Sequence, residues 1–226
     1  MDEEILEQIK KAAEDLLKNP GQSNVVLPKD KVGPGDNFIV VFRHGESEDN
    51  VNRIFSGWRD STDITEVGIK QAEALRPELN KLDINVVITS DQVRSQHTAK
   101  TAFETHPKLP EIKWEIEWRI KERNYGDLNG KSKEEAMAMN PTEAIKWRRG
   151  YETPPPGGES MKMVEARVWP FLDELVVRVR REKINVVLSA HGNSMRAIRR
   201  YFEKLTVLQE MTVENPLGTD FALYRV

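Results

Sequence analysis

Cysteine is absent from all 226 residues, which removes disulfides and thiolate metal sites together. Long apolar runs are missing too: nothing approaches the ~20 residues that a membrane-spanning helix needs. Neither sign of charge dominates. Lysine and arginine number 34 against 37 aspartates and glutamates, for a formal net charge of −3 and a pI near 5.9. A general nucleic-acid binder shows a strongly basic face or tail, so neither nucleic acid nor a membrane is an expected partner. A local basic pocket for a small anion stays open. Asp2, Glu3, Glu4, Glu7, Glu14 and Asp15 fit neither the uncharged stretch of a signal peptide nor an acid-poor transit peptide, so the expected location is cytoplasmic.

What remains is enough chain for one α/β domain with a sizeable core, plus an appendage. Residues 2–18 carry Ile5, Leu6, Ile9, Ala12, Ala13, Leu16 and Leu17 at helical spacing, and Asn19-Pro20-Gly21 stops the run. The stripe is expected to pack on the protein's own core; the alternative is a homo-oligomer or partner contact. Residues 20–36, rich in proline and glycine, read as a linker. The expected division is therefore an extension over 1–34 and a domain over 35–226.

That domain is organised around Phe38-Ile39-Val40-Val41-Phe42-Arg43-His44-Gly45-Glu46-Ser47. Five consecutive β-branched and aromatic residues predict a strand buried on both faces, as in a parallel sheet. Ile84-Asn85-Val86-Val87-Ile88 and Ile184-Asn185-Val186-Val187-Leu188 predict two more. Asp63-Ile64-Thr65-Glu66 reads as a helix start, with Pro77 ending or kinking that helix early. Ser160 caps a long helix expected to bend at Pro170. Strands alternating with helices imply an α/β fold: a mainly parallel sheet sandwiched by helices.

Ligands in such folds bind just beyond the carboxyl ends of the strands. The three apolar strands lead into Arg43-His44, through Thr89-Ser90 to Arg94, and through Ser189-Ala190 to His191. If the strands are neighbours, two arginines and two histidines converge. Taken alone, Arg94 is most simply a solvated helix residue and His191 a loop histidine; their shared position reverses that. Paired guanidinium groups suit a phosphoryl group, and a neutral imidazole among them can attack phosphorus. No histidine or carboxylate cluster shows metal-ligand spacing, so no metal is expected. His97 and His106 match no motif and read as exposed helix residues.

Arg43-His44-Gly45-Glu46-Ser47-Glu48-x-Asn50 resembles the signature of the histidine phosphatase superfamily, and within it the branch containing the cofactor-dependent phosphoglycerate mutases. Phe55-Ser56-Gly57-Trp58, Glu122-Arg123-x-Tyr125-Gly126, Trp147-Arg148-Arg149 and Ala190-His191-Gly192-Asn193-Ser194 follow in the family's order and spacing. The resemblance implies His44 as the phosphorylated nucleophile, with Arg43, Arg94 and His191 binding the phosphoryl group. It implies Glu122 as acid–base group, although Asn124 stands where the family usually has histidine. Ser47, Asn50, Ser56, Gly57, Gly192 and Asn193 would line the pocket. Arg123, Tyr125, Lys133, Arg148 and Arg149 would hold the far end of the substrate. By the same resemblance the partners are small phosphorylated metabolites, namely phosphoglycerates, and the cofactor is 2,3-bisphosphoglycerate, acting as phosphoryl primer. Departures from the longer mutases are the short Gly157-Gly158 connection and a chain stopping directly after its last strand, which imply a thinner cover and some side hydrolysis. A phosphatase of the same superfamily and a non-catalytic binding protein are the alternatives.

Overall fold

The computed structural model describes Glu7, Gln8, Lys11 and residues 26–226, apart from the side chains of Arg148 and Arg149. Most of the helix expected over 2–18 lies outside the described residues. Of the stretch read as linker, Leu27 is buried in the core, and its neighbours Pro28 and Asp30 exchange backbone hydrogen bonds with Leu223.

In chain order, β1 (Phe38–Arg43) precedes the short α1 (Glu48–Val51), α2 (Glu66–Ala74) and α3 (Arg76–Leu79). Next come β2 (Val86–Thr89), α4 (Val93–Phe103) and β3 (Lys113–Ile116). Helices α5 (Lys133–Met139), α6 (Pro141–Arg149) and α7 (Met161–Glu182) follow. The chain closes with β4 (Val186–Ala190), α8 (Gly192–Glu203), α9 (Val207–Thr212) and β5 (Phe221–Arg225).

The five strands form one sheet in the order β3-β2-β4-β1-β5, parallel except for β5. β4 lies between β1 and β2, so the three apolar strands are direct neighbours. Their register aligns the rim: Arg43 faces Ala190 on one side of β4, and Thr89 faces Ser189 on the other. His44, Ser90 and His191 leave the sheet from the same edge.

Alternation along β1 explains the sandwich. Ile39 and Val41 point into a core shared with α7 and α8, whereas Val40 and Phe42 point into one shared with α3, α4 and Leu75 at the end of α2. Each such side chain contributes about 1.5–3 kcal/mol by leaving water. A third, smaller cluster joins Phe55, Tyr125 and Leu128 to Ala136 and Trp147, tying α5 and α6 to the rim.

Several local expectations are met. Thr65 caps α2, its hydroxyl accepting from Gly68 N at 3.1 Å, and Pro77 sits in the first turn of a new helix, α3. Ser160 caps α7, which continues through Pro170 to 22 residues although that proline lacks a ladder donor. Other features were not legible. β3 has an exposed, charge-bearing sequence and gives no apolar run to detect. His106 is not an exposed helix residue. It lies just past α4, buried against Phe103, with Nε2 donating to the Leu82 carbonyl and Nδ1 accepting from Lys108 N. No helix among the described residues is long and apolar enough to cross a membrane.

Candidate active site

His44 emerges from β1 with its backbone N–H on the Ala190 carbonyl. The next residue must let the chain turn against α2: a Cβ on Gly45 would stand 2.5 Å from the Gly68 carbonyl oxygen, so only glycine fits. His44 Nδ1 lies 2.7 Å from the Gly45 carbonyl, which can only accept; Nδ1 therefore carries the proton and Nε2 keeps its lone pair. Burial, with Arg94 and Arg43 beside it, holds this imidazole well below its usual pKa. The ring is neutral and of fixed tautomer, a form in which an imidazole is able to act as a nucleophile.

His191 opens α8 at the end of β4, its ring centroid 5.1 Å from that of His44. Its Nε2 is 2.7 Å from Ser90 Oγ, which already accepts from Gln92 N. The serine hydroxyl can donate to His191 Nε2 or accept from it through its second lone pair, so this contact fits either tautomer of His191. Arg94 is fully buried, with Nη1 and Nη2 donating to the carbonyls of Arg59 and Gly57 at 3.0 and 2.9 Å. Gly57 has φ +45°, and a Cβ there would overlap Asn129 Oδ1. Arg43 is anchored by Nη1 on the Asn215 carbonyl.

Five buried side-chain polar atoms among the described residues lack a partner, and three belong here: Arg43 Nε, Arg94 Nε and His191 Nδ1. Unpaired buried donors are costly, about 1–3 kcal/mol each. Phosphoryl oxygens would supply the acceptors that the two guanidinium Nε–H groups need.

Glu122 completes the group. Its Oε1 accepts from Arg123 N (2.7 Å), Asn193 N (3.1 Å) and Asn193 Nδ2 (2.9 Å). Oε2 takes part in none of these bonds. A Cβ on Gly192 would be 3.4 Å from both this Oε2 and Arg43 Cζ, which shows how closely acid and cation meet. Burial pushes this carboxyl's pKa up, but the Arg123 N–H, Asn193, Arg94 and Arg43 outweigh it, and the net shift is downward.

The donor atoms of His44, Glu122 and His191 all lie within 4.8 Å of one another, a cluster that spacing along the chain did not reveal. Two guanidinium groups act on the same histidines, and their fixed charge opposes a metal dication while favouring an anion.

The remaining expected residues fall into two sets. Ser47 and Asn50 form a capping box at α1, with Ser47 buried. Ser56 is half-buried in the loop that carries Gly57. Tyr125 is buried, its hydroxyl accepting from Asn193 Nδ2 at 3.1 Å. Arg123 is fully buried beside it, 5.3 Å from the ring, with Nε donating to the Glu159 carbonyl. Lys133 Nζ stands 5.9 Å from the Phe55 ring at the start of α5. Arg148 and Arg149 end α6, their side chains outside the described set. Sequence reasoning passed over Gln92, Thr98 and Asn215, and took Ser90 only as part of a connection. Each acts on site residues distant in the chain, so no local pattern marks them.

A family model of the histidine phosphatase superfamily (branch 1) matches residues 39–216. The chain belongs to that superfamily. A 2,3-bisphosphoglycerate-dependent phosphoglycerate mutase of Rhizobium etli is 41% identical over 174 residues, covering 74% of this chain and 80% of the relative. One of a Methylobacterium species is 42% identical over 177 residues, covering 76% and 83%. Among solved structures, a mycobacterial glucosyl-3-phosphoglycerate phosphatase complexed with VO3 aligns with TM-score 0.72 and 27% identity, over 83% of this chain and 90% of that one. Members similar to this chain thus include both mutases and phosphatases.

Proposed function

We propose that the protein is a phosphoglycerate mutase primed by 2,3-bisphosphoglycerate, interconverting 3-phosphoglycerate and 2-phosphoglycerate through phosphohistidine. The observation that carries the chemistry is the fixed neutral tautomer of His44, with Nε2 free beside the unpartnered Nε–H donors of Arg43 and Arg94. His44 Nε2 bonds to phosphorus as the P–O bond of the bisphosphate breaks, and Glu122 gives its proton to the departing oxygen. The hydroxyl of a monophosphate then attacks the phosphohistidine, returning its proton to Glu122. Arg43, Arg94 and His191 offset charge on the transferring group throughout. Arg123, Tyr125, Lys133, Arg148 and Arg149 are assigned the substrate's far end, with Ser47, Asn50, Ser56, Gly57, Gly192 and Asn193 shaping the pocket. The choice of substrate is supported by relatives named as mutases at 37–42% identity. Such a reaction serves glycolysis and gluconeogenesis and puts the protein in the cytoplasm.

One feature favours a phosphatase as second reading. The short connection over residues 154–159 is pinned down, with Asp127 N on the Pro156 carbonyl and Glu159 N on that of Asn124. It packs on the segment after Glu122 instead of adding a cover that excludes water. The test is an assay of 3-phosphoglycerate with EDTA present, with and without trace 2,3-bisphosphoglycerate, reading 2-phosphoglycerate and free phosphate. Primer-dependent 2-phosphoglycerate with minor phosphate release is the expected result. Almost exclusive phosphate release would replace the mutase with the phosphatase, and activity restored only by a divalent ion would overturn the mechanism.

A further inference from the structure

Gln92 stands at the N-cap of α4, wholly buried, and bonds to three separate segments around the site without belonging to any motif. Its Nε2 donates to the Gly57 carbonyl at 2.9 Å and lies 3.3 Å from the Arg59 carbonyl. These two oxygens also anchor the guanidinium of Arg94. Its Oε1 accepts from the backbone N–H of Glu122 at 3.0 Å. Its own backbone N–H reaches Ser90 Oγ, the partner of His191. One carboxamide therefore joins the loop that grips Arg94 to the segment that carries Glu122.

We propose that Gln92 is a positioning residue that holds the Glu122 carboxylate in register with the Arg94 phosphoryl clamp. The proposal rests on phosphoryl transfer at His44, whichever acceptor completes the cycle. A carboxamide is the side chain the position calls for, because it must donate to two carbonyls and accept from an N–H at once. The two ends of the bridge are unequal. Arg94 keeps its own bonds to Gly57 and Arg59 when Gln92 is lost, so the clamp survives. Tilt or drift of Glu122 loosens the short bonds from Arg123 and Asn193 that keep its carboxyl low. Its pKa then rises, and the limb it contributes to the pH–rate profile moves to higher pH.

Gln92→Met keeps the volume and removes both hydrogen-bonding ends. With whatever phosphorylated substrate the wild type turns over, kcat should fall ~10-fold or more, since a misplaced proton donor acts on the chemical step. Inhibition by vanadate should change by no more than ~3-fold, and the Glu122 limb should shift upward. A merely structural role would lower the amount of phosphorylatable enzyme and leave limb, KM and vanadate inhibition unmoved; that result, or a kcat within twofold of wild type, overturns the proposal. If Gln92→Met does not fold, Gln92→Glu keeps the acceptor for Glu122 N–H but cannot donate to Gly57 and Arg59. The tie between the two segments is then cut at its other end, so kcat should fall and the Glu122 limb should shift upward as in Gln92→Met, and a wild-type kcat with a wild-type limb in that variant would also overturn the proposal. Failure of the mutase reading is separate, since it shows in the wild type's products alone.

Discussion

Replacing Glu122 by glutamine changes one atom and tests the division of labour between its two oxygens. Oε1 holds the side chain through three N–H donors, and the amide oxygen of glutamine can accept the same bonds. The NH2 group then occupies the place of Oε2, beside Arg43 and Gly192. Position is kept while the transferable proton is lost. General acid–base catalysis is worth ~10²–10⁴-fold, or about 3–5 kcal/mol of barrier, so kcat should fall by that factor. Affinity for vanadate should stay equal or improve, because a carboxylate that repels the anion has become neutral. The pH dependence adds a second criterion. Arg94 and Arg43 help to hold Glu122 low in the free protein. A bound phosphoryl dianion offsets those two charges, so the carboxyl titrates at higher pH in the complex. Loss of the protonated acid should appear at higher pH in kcat than in kcat/KM for the wild type, and both limbs should vanish in Glu122→Gln. Turnover within threefold of wild type, or a retained limb, would refute the assignment.

Other expectations follow from single features. His44→Ala should keep the fold and lose both turnover and acid-labile phosphorylation of the protein; comparable phosphate exchange would remove His44 as nucleophile. Leu27→Ala should lower stability by ~2–4 kcal/mol in denaturant titration, because Leu27 is buried in the main core cluster; an unchanged midpoint would show that the segment does not dock. Glu210 is fully buried, and burial together with Glu165 pushes its carboxyl up to about 9. A raised carboxyl pKa makes the folded state hold a proton that the unfolded chain releases above ~4.5, so stability declines as pH rises from there towards 9. Glu210→Gln should therefore raise Tm at pH 8, by the equivalent of ~1–3 kcal/mol, and much less at pH 5; equal effects at both would contradict a neutral Glu210.

The fold was legible where burial on both sides forces an unbroken apolar run, as in β1, β2 and β4. Those strands also placed His44, Arg94 and His191, since ligand sites in such folds lie just past strand ends. β3 was hidden because an edge strand half in water tolerates Lys113, Trp114 and Glu115. The role of Leu27 was hidden by its setting among prolines and glycines, where one leucine carries no period. Gln92 and Asn215 were illegible for a different reason. Gln92 pairs with the backbone of Gly57 and Glu122, and Asn215 offers its own carbonyl to the Arg43 guanidinium; only the folded chain displays such distant pairings.

The arginines of the site are held mainly by peptide carbonyls: Gly57 and Arg59 for Arg94, Asn215 for Arg43. A carbonyl is present whatever side chain its residue bears. The loops around the rim can thus exchange side chains without releasing the two guanidinium groups. Gly57 is the exception, since its φ and the nearby Asn129 admit no Cβ. A scaffold anchored in this way separates the evolution of selectivity from that of chemistry, which suits a superfamily whose members move phosphoryl groups to different acceptors.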